Sequence, residues 1–316
     1  MLIKNKFTFG GICNATERHS RNIMQSGNTT RVRRHLQCRR PTQRNEESRS
    51  LRRSQMYPFK NILIWAVLLF LLLTSSITPK ADFSETPVFI DGEDLTFRIH
   101  YGFITGGEAK VTAKKEWLNG REVFHTVLIG KTTGLIDKLY KVYDIYESFF
   151  NPVNNLPDKA IRNIREGGYR YYDEVMFNQE ELYVESQRNG KVSVPQNTLD
   201  MASVMYYVRR LDLDNLNVND IILLNTYFGD ELFPFYIVYK GRETISIGSG
   251  KYKCFKFVPI VEPGRVFQKK DDMTIWFSDD ENKIPVSIKF DIWAGSFKCD
   301  LIRFENLKYP LTANIK

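Results

Sequence analysis

Apolar and polar residues alternate with a period of two in segment after segment of this chain, and that rhythm limits its fold more than any other feature. It runs through Leu95-Thr-Phe97-Arg-Ile99-His-Tyr101, Val123-Phe-His125-Thr-Val127, Tyr171 to Phe177, Phe235-Tyr-Ile237-Val-Tyr239, Met273-Thr-Ile275-Trp-Phe277, Val286-Ser-Ile288-Lys-Phe290 and Leu301-Ile-Arg303-Phe. Successive side chains of a strand point to opposite faces, so each run reads as a strand with one face toward a core and one toward water. Between the runs stand turn sequences: Asn119-Gly120, Asn189-Gly190, Gly248-Ser-Gly250, Asp279 to Asn282 and Ala294-Gly-Ser296. A parallel crossover needs a dozen residues or more, so strands joined by such short turns are antiparallel neighbours. The region 243 to 307 reads as a meander of about five strands.

One segment breaks the rhythm. Met201, Val204, Met205, Val208 and Leu211 recur at helical spacing, Thr198 or Asp200 can cap the N-terminus, and Arg209 and Arg210 suit the negative end of a helix dipole. The expected architecture is mainly β: a curved antiparallel sheet, half-barrel or open-barrel-like, with one amphipathic helix over 199–211 packed on it. A shorter helical turn is predicted over Leu135 to Lys141.

Charge is informative only once it is divided. The net charge is +8, yet residues 1–55 hold 13 Lys and Arg against 3 Asp and Glu, which leaves 32 against 34 for the rest. The basic excess is local, so it describes no nucleic-acid footprint on a folded domain. Residues 1–55 lack apolar periodicity and are expected to be disordered, with Met56 as the expected true start. Then Met56-Tyr-Pro-Phe-Lys60 leads into the uncharged run Ile62 to Leu73 and the small polar stretch Thr74-Ser-Ser76, in the order of a secretory signal spanning 56–81. Twelve helical residues reach roughly 18 Å against a hydrocarbon thickness of about 30 Å. An uncleaved anchor over 62–78 is the alternative, held with 1–55 inside by the positive-inside rule, and an Arg-rich transit peptide is a third reading. Export to the periplasm or cell envelope is the expectation, with one β-rich domain over 82–316.

Only Cys254 and Cys299 follow the leader. They can form one disulfide in an oxidising compartment or remain as two separately buried thiols. No CxxC and no Cys/His cluster with zinc spacing is present.

Four ordered motifs carry a resemblance. They are Gly92-Glu93-x-Leu95-x-Phe97, Tyr101-Gly102-x-Ile104-x-x-Gly107-Glu108-Ala109, Ser203-x-x-Tyr206-Tyr207-x-Arg209 and Ile275-Trp276-x-Ser278-Asp279-Asp280-x-x-x-Ile284-Pro285-Val286. Over residues 90 to 307 the chain resembles the bacterial exported family called domain of unknown function 3108. The resemblance implies a mostly antiparallel β protein of the cell envelope and supplies no reaction and no catalytic residues. The expected shape is also similar to the half-barrel carriers of lipoproteins and lipids.

Chemistry-bearing patterns are sparse. Only His100 and His125 lie beyond the leader, both in strand-like runs, and Gly248-Ser249-Gly250 stands in a turn rather than in a strand-to-helix elbow. No Walker or dinucleotide glycine pattern occurs, so no cofactor is expected. The acidic run 278–282 reads as a solvated hairpin turn, since it lacks the spaced ligands of a calcium loop. Gly106 and Gly107 interrupt a strand and predict a bulge or a close backbone approach. Two readings follow: a non-catalytic envelope protein holding a lipid or other amphipathic ligand, or an envelope interaction factor binding another protein. A hydrolase would need a nucleophile, a base and oxyanion donors brought together in space. For the first reading, the expected lining is Tyr206, Arg209, Phe235, Tyr236, Trp276 and Trp293, with Arg209 available to an anionic head group.

Overall fold

The computed structural model describes residues 83–84, 86–260, 271–292 and 295–315; the segments 1–55 and 56–81 and residue Trp293 lie outside these described residues. Before the central helix run β1 Glu93–Tyr101, β2 Ile104–Leu118, β3 Arg121–Thr132, the helix α1 Gly134–Leu139, β4 Tyr143–Phe150, β5 Pro157–Glu166, β6 Tyr169–Asn178, β7 Tyr183–Ser186 and β8 Gly190–Ser193. After α2 Ser203–Val208 come β9 Ile221–Phe228, β10 Glu231–Ile247, β11 Gly250–Pro259, β12 Met273–Ser278, β13 Pro285–Ile292, β14 Gly295–Glu305 and β15 Asn314–Ile315.

The strands form one antiparallel sheet in the order β8-β7-β6-β5-β4-β3-β2-β1-β14-β13-β12-β11-β10-β9, with β15 added on β11. The meander expected for the C-terminal region is present as β10 to β14. Its union with the first half is the long-range pairing of β1 with β14, which sets Phe97 opposite Leu301 and Ile99 opposite Cys299. Turn chemistry acts where it was predicted: Asn119 and Gly120 both take positive φ, 52° and 80°, the conformation of a two-residue hairpin. The glycines of β2 also behave as read, because the β1–β2 register slips at Ile99/His100, opposite Gly106.

The sheet is rolled and not closed. Its free edges, β8 and β9, are not paired with each other among the described residues. Instead the end of β9 comes back over the inner face of β4 to β6. Phe228 lies 6.1 Å from the Tyr146 ring, the Arg162 guanidinium is 5.3 Å from Phe228, and the Tyr171 hydroxyl donates to Asp230 at 2.6 Å. Tyr227 joins Val175, Phe177 and Val184 in a buried cluster on the same seam.

Two larger clusters fill the roll around α2. Phe89, Leu95, Phe97, Phe124, Phe150 and Leu301 pack on Tyr206, while Leu224, Ile237, Tyr239, Phe255, Phe257 and Phe277 pack with Val208. Phe89 is the hub of the first, with the rings of Phe124 and Tyr206 at 4.9 and 4.7 Å in edge contacts. A fourth cluster, Tyr252, Cys254 and Val286, occupies the opposite face of the sheet, and Leu311 of the C-terminal segment packs on it.

The central helix is shorter than its sequence pattern, 203–208 in place of 199–211. Asp200 organises the start, accepting from the backbone N–H groups of Ala202 at 2.8 Å and Ser203 at 3.2 Å. At the other end Arg210 N and Leu211 N bond three residues back, to Tyr207 O and Val208 O, which tightens and ends the helix. No helix among the described residues is long and apolar enough to cross a membrane.

Candidate functional site

Helix α2 is locked to one end of the roll. Arg209 makes a bidentate bond with Glu93, the first residue of β1, at 2.7 and 2.8 Å, and its Nε donates to Asn282 O in the β12–β13 turn at 3.0 Å. Arg210 reaches the β4–β5 turn, donating to Pro152 O, Val153 O and Asn155 Oδ1, and also to Ser84 O. Both arginines are fully buried. All of these partners belong to the end at which β1 begins, so α2 closes that end. The opposite end is bordered by the β1–β2 hairpin, α1 and the β5–β6, β9–β10 and β13–β14 turns.

Above the helix, toward that second end, the inner wall is apolar but incompletely covered. Cross-strand pairing places Ala109 opposite Gly130, Gly130 opposite Asp144, and Ile288 opposite both Cys299 and Ile275. Ile99, Ala109, Leu128, Met205 and Ile288 pack against the first cluster and Val204 and Ile275 against the second, yet each of the seven is only half-buried. Gly130 is buried, but a Cβ added there would meet nothing within 4 Å. Gly107, one row nearer the open end, is different: its Cβ would lie 2.6 Å from the Lys131 carbonyl oxygen. Glycine and alanine thus strip side chains from β2 and β3, and we infer from the half-buried apolar side chains around them that the inner wall is hollowed here into a bowl. Val204 and Met205 line its floor, and Ile99, Leu128, Ile275 and Ile288 line its wall.

Carboxyl groups stand on the same wall. Asp144 and Glu166 are each 1% exposed. Burial raises the Asp144 carboxyl above the usual carboxylate range, against the opposing pull of the Arg165 N–H and of a hydrogen bond with Glu166. Where the β9–β10 turn meets β4 to β6, a separate cleft of about 40 Å³ is lined by Tyr146, Arg162, Asp173, Met201, Phe228 and Asp230. It has room for a water or two and not for an acyl chain. Asp173 and Asp200, which both line it, are raised by burial against the hydroxyl bonds that Ser186 and Ser148 donate to them.

Alternation puts a polar group on the outer face of β1, β13 and β14, which sequence reasoning did not single out. His100 Nε2 lies 2.9 Å from Asp300 Oδ2, His100 Nδ1 lies 2.6 Å from Gly102 O, and the Ser287 hydroxyl donates to Asp300 Oδ1 at 2.6 Å. Serine, histidine and aspartate are all present, but in the wrong order for acyl transfer. A nucleophilic serine must be hydrogen-bonded to the imidazole, and here it bonds the carboxylate while both ring nitrogens are engaged elsewhere. The cluster is a cross-strand buttress. His125 is similarly committed, between Glu116 at 3.0 Å and Glu147 at 2.8 Å, and stacked on Phe149. Cys254 and Cys299 are free, and burial pushes both thiols up to about 12. Among the described residues no cluster of three or more His, Cys, Asp or Glu groups is placed to hold a metal ion.

The six residues expected to line a ligand site are distributed rather than gathered. Tyr206 and Arg209 lie together beneath the bowl, fully buried, with the Arg209 guanidinium committed to Glu93 and Asn282 and 5.1 Å from the Tyr206 ring. An anion clamp at Arg209 would have to displace Glu93. Phe235 packs inward on the second cluster, whereas Tyr236, the next residue of β10, faces outward and is half-exposed. Trp276 is on the outer face as well, donating from Nε1 to Glu243 at 2.5 Å, with Lys256 over its ring. Trp293 lies outside the described residues. The wall residues Ile99, Leu128 and Ile288 were missed because aliphatic residues in an alternating strand carry no signal separating a cavity wall from a packed core. The signal available was the run Gly107-x-Ala109 with Gly130.

Comparison with known proteins gives a family and no activity. No curated protein matches. Among solved structures, the chain is similar to a β-barrel-like protein of domain of unknown function DUF1849 from Brucella abortus, at 9% identity and a TM-score of 0.48, over 69% of this chain and 99% of that one. It is also similar to a DUF1089 family protein from Pseudomonas aeruginosa, at 6% identity and a TM-score of 0.29, over 63% of this chain and 90% of that one. The family model for the protein of unknown function DUF3108 matches residues 96–302, from the second half of the first motif to the last strand of the meander, and the chain belongs to that family.

Proposed function

We propose that this is an exported cell-envelope protein that performs no catalysis and holds a hydrophobic or amphipathic ligand, a lipid by preference, in the bowl above α2. The observation that carries the reading is the half-buried state of inward-facing apolar side chains, Ile99, Leu128, Met205, Ile275 and Ile288, around a space that Gly130 leaves empty. Apolar surface left wet on the core side of a sheet gains roughly 25 cal/mol for each Å² that a ligand covers. Methionine at the floor adapts to ligands of different shape, and the Asp144–Glu166 pair offers a polar handle to a head group. The apolar leader and the small number of cysteines support export.

The test is to fill the bowl. Gly130→Leu adds a side chain into open space without a positive-φ penalty. Native mass spectrometry of the protein from its own host should show a co-purifying apolar ligand in the wild type and none in the variant, with unchanged melting temperature. A wild-type protein that arrives empty and does not enhance the fluorescence of a polyene fatty acid would sink the proposal.

A second reading, a factor that binds another envelope protein, is favoured by one observation. The edge of β9 is covered by Leu199 at Asn225 to Tyr227 but open from Ile221 to Leu224, a stretch without a charge, and Ile221 and Leu223 on its outer face are exposed beside Tyr236. Such an edge is a template for an added strand. Leu223→Lys would abolish capture of that partner and leave lipid binding intact.

A further inference from the structure

At the open end of the roll two neighbouring segments project apolar side chains into solvent. The β1–β2 hairpin turns through Gly102, at φ 55°, and carries Phe103 at 96% exposure, the largest of the apolar side chains in the described fold, followed by the exposed Ile104. Beside it, α1 buries no residue. Leu135 and Leu139, one turn apart on that helix, are 76% and 82% exposed. The two segments are joined: Thr133 N donates to Gly106 O at 3.1 Å, and a Cβ on Gly106 would lie 3.8 Å from Ile136. Ile136 therefore holds the helix on the sheet while its leucines face outward.

Charge is sorted around these side chains. The one acid of α1, Asp137, accepts a bond from the Thr132 hydroxyl at 2.9 Å and is turned to the wall. Lys131 on β3 is paired with Glu108, whereas Lys138 and Lys141 are exposed and make no ion pair among the described residues.

We propose that this rim is a membrane-docking surface whose partner is the interface of an anionic bilayer. Four large apolar side chains on short convex tips suit shallow insertion among acyl chains, and two free lysines at their base suit the head-group layer. A protein partner would be expected to find a concave pocket or an extended edge here, and these tips offer neither. A second copy is disfavoured by charge, since a two-fold contact would set Lys138 and Lys141 against themselves. The inference stands on the rim alone and holds whether or not the bowl carries a ligand. Where the bowl does carry one, its mouth faces the bilayer.

The experiment is hydrogen exchange of the full chain with vesicles of phosphatidylglycerol and phosphatidylethanolamine, or of phosphatidylcholine. Peptides covering 101–106 and 133–141 report the rim separately from the apolar leader. Exchange there should slow several-fold with anionic vesicles and less with phosphatidylcholine. The slowing should disappear in Leu135→Ser/Leu139→Ser, with exchange of β1 and β14 unchanged as a control on folding. Phe103→Ser, at a nearly fully exposed side chain, serves if the helix variant unfolds. Unchanged exchange of both segments with anionic vesicles overturns the proposal. So does slowing that depends on protein concentration without vesicles, which would indicate a second copy, or equal protection of the folded variant.

Discussion

Replacing Arg209 by methionine tests whether α2 is held in place by a buried ion pair or by packing alone. The Arg209 and Glu93 side chains are both 0% exposed, their two hydrogen bonds are 2.7 and 2.8 Å, and the guanidinium lies 5.4 Å from the Phe89 ring. Methionine keeps a long apolar stem but abandons the Glu93 carboxylate in a fully buried site and leaves Asn282 O without its Arg209 donor. Breaking one side of a buried pair costs about 3 to 5 kcal/mol, a large share of a total stability of about 5 to 15 kcal/mol. The double variant Arg209→Met/Glu93→Leu removes both charges and should recover most of that loss, because a desolvated pair gains little over an apolar replacement of similar volume. Urea denaturation followed by tryptophan fluorescence gives the four corners of the cycle. The expected result is a single-variant loss of about 3 kcal/mol or more for Arg209→Met and for Glu93→Leu, with a coupling of similar size. If Arg209→Met stays within about 1 kcal/mol of the wild type, the pair is not desolvated and α2 is not anchored as described.

The remaining predictions concern protons, glycines and thiols. Asp144, Asp158, Asp173 and Asp200 are all held above the usual carboxylate range by burial, while Asp291 is held below it by bonds from Lys289 and Ser296 that outweigh its burial. For the four raised groups the folded state keeps protons that the unfolded chain has already released at about pH 4. Their contribution to stability is therefore present in acid and declines as pH rises through the folded values. The melting temperature should fall as pH rises above about 4, with a shallower slope in Asp200→Asn; a steady rise would contradict the assignment. Gly107→Ala drives a methyl against a backbone oxygen at 2.6 Å and should cost about 1 to 3 kcal/mol in the same urea assay. Equal stability would show that β2 and β3 lie farther apart at that row. With both thiols raised to about 12, Cys254 and Cys299 should stay unmodified by iodoacetamide at pH 8 until the protein is unfolded, which peptide mapping can follow.

Alternation made most strands legible because a strand with one wet face writes its period directly into the sequence. The hairpins followed wherever turn residues were unambiguous, as at Asn119-Gly120. The join between β1 and β14 did not, since nothing in Leu95 to Tyr101 names a partner two hundred residues away. Helix α2 was overextended because Met201 and Leu211 keep the helical spacing, while the arginines between them are drawn to Glu93 and Asn155. These are tertiary partners that no local pattern contains. The lining of the site was least legible. Phe235 and Tyr236 read as equivalent aromatics, yet adjacent strand residues face opposite ways, and which of them faces inward depends on the roll of the whole sheet.

That roll also explains why the bowl exists. Eight strands make a barrel whose interior side chains just fill, whereas fourteen strands lie on this path. A six-residue helix is about 9 Å long, and a nine-residue strand such as β1 is about 30 Å. With the first segment and Phe89 beneath it, α2 can close one end of the roll but cannot reach the other. A chain could still fill the remainder with large inward side chains, at a gain of about 1.5 to 3 kcal/mol for each one fully buried. This chain places Gly107, Ala109 and Gly130 on adjacent rows of the inner wall instead and leaves Leu128 and Ile288 half-buried. Gly107 has a steric reason, its clash with Lys131. Gly130 has none, since the space beside it would accept a side chain. The opening above α2 is therefore not a packing constraint of the sheet, and Gly130 is the position where filling it tests the function without disturbing the fold.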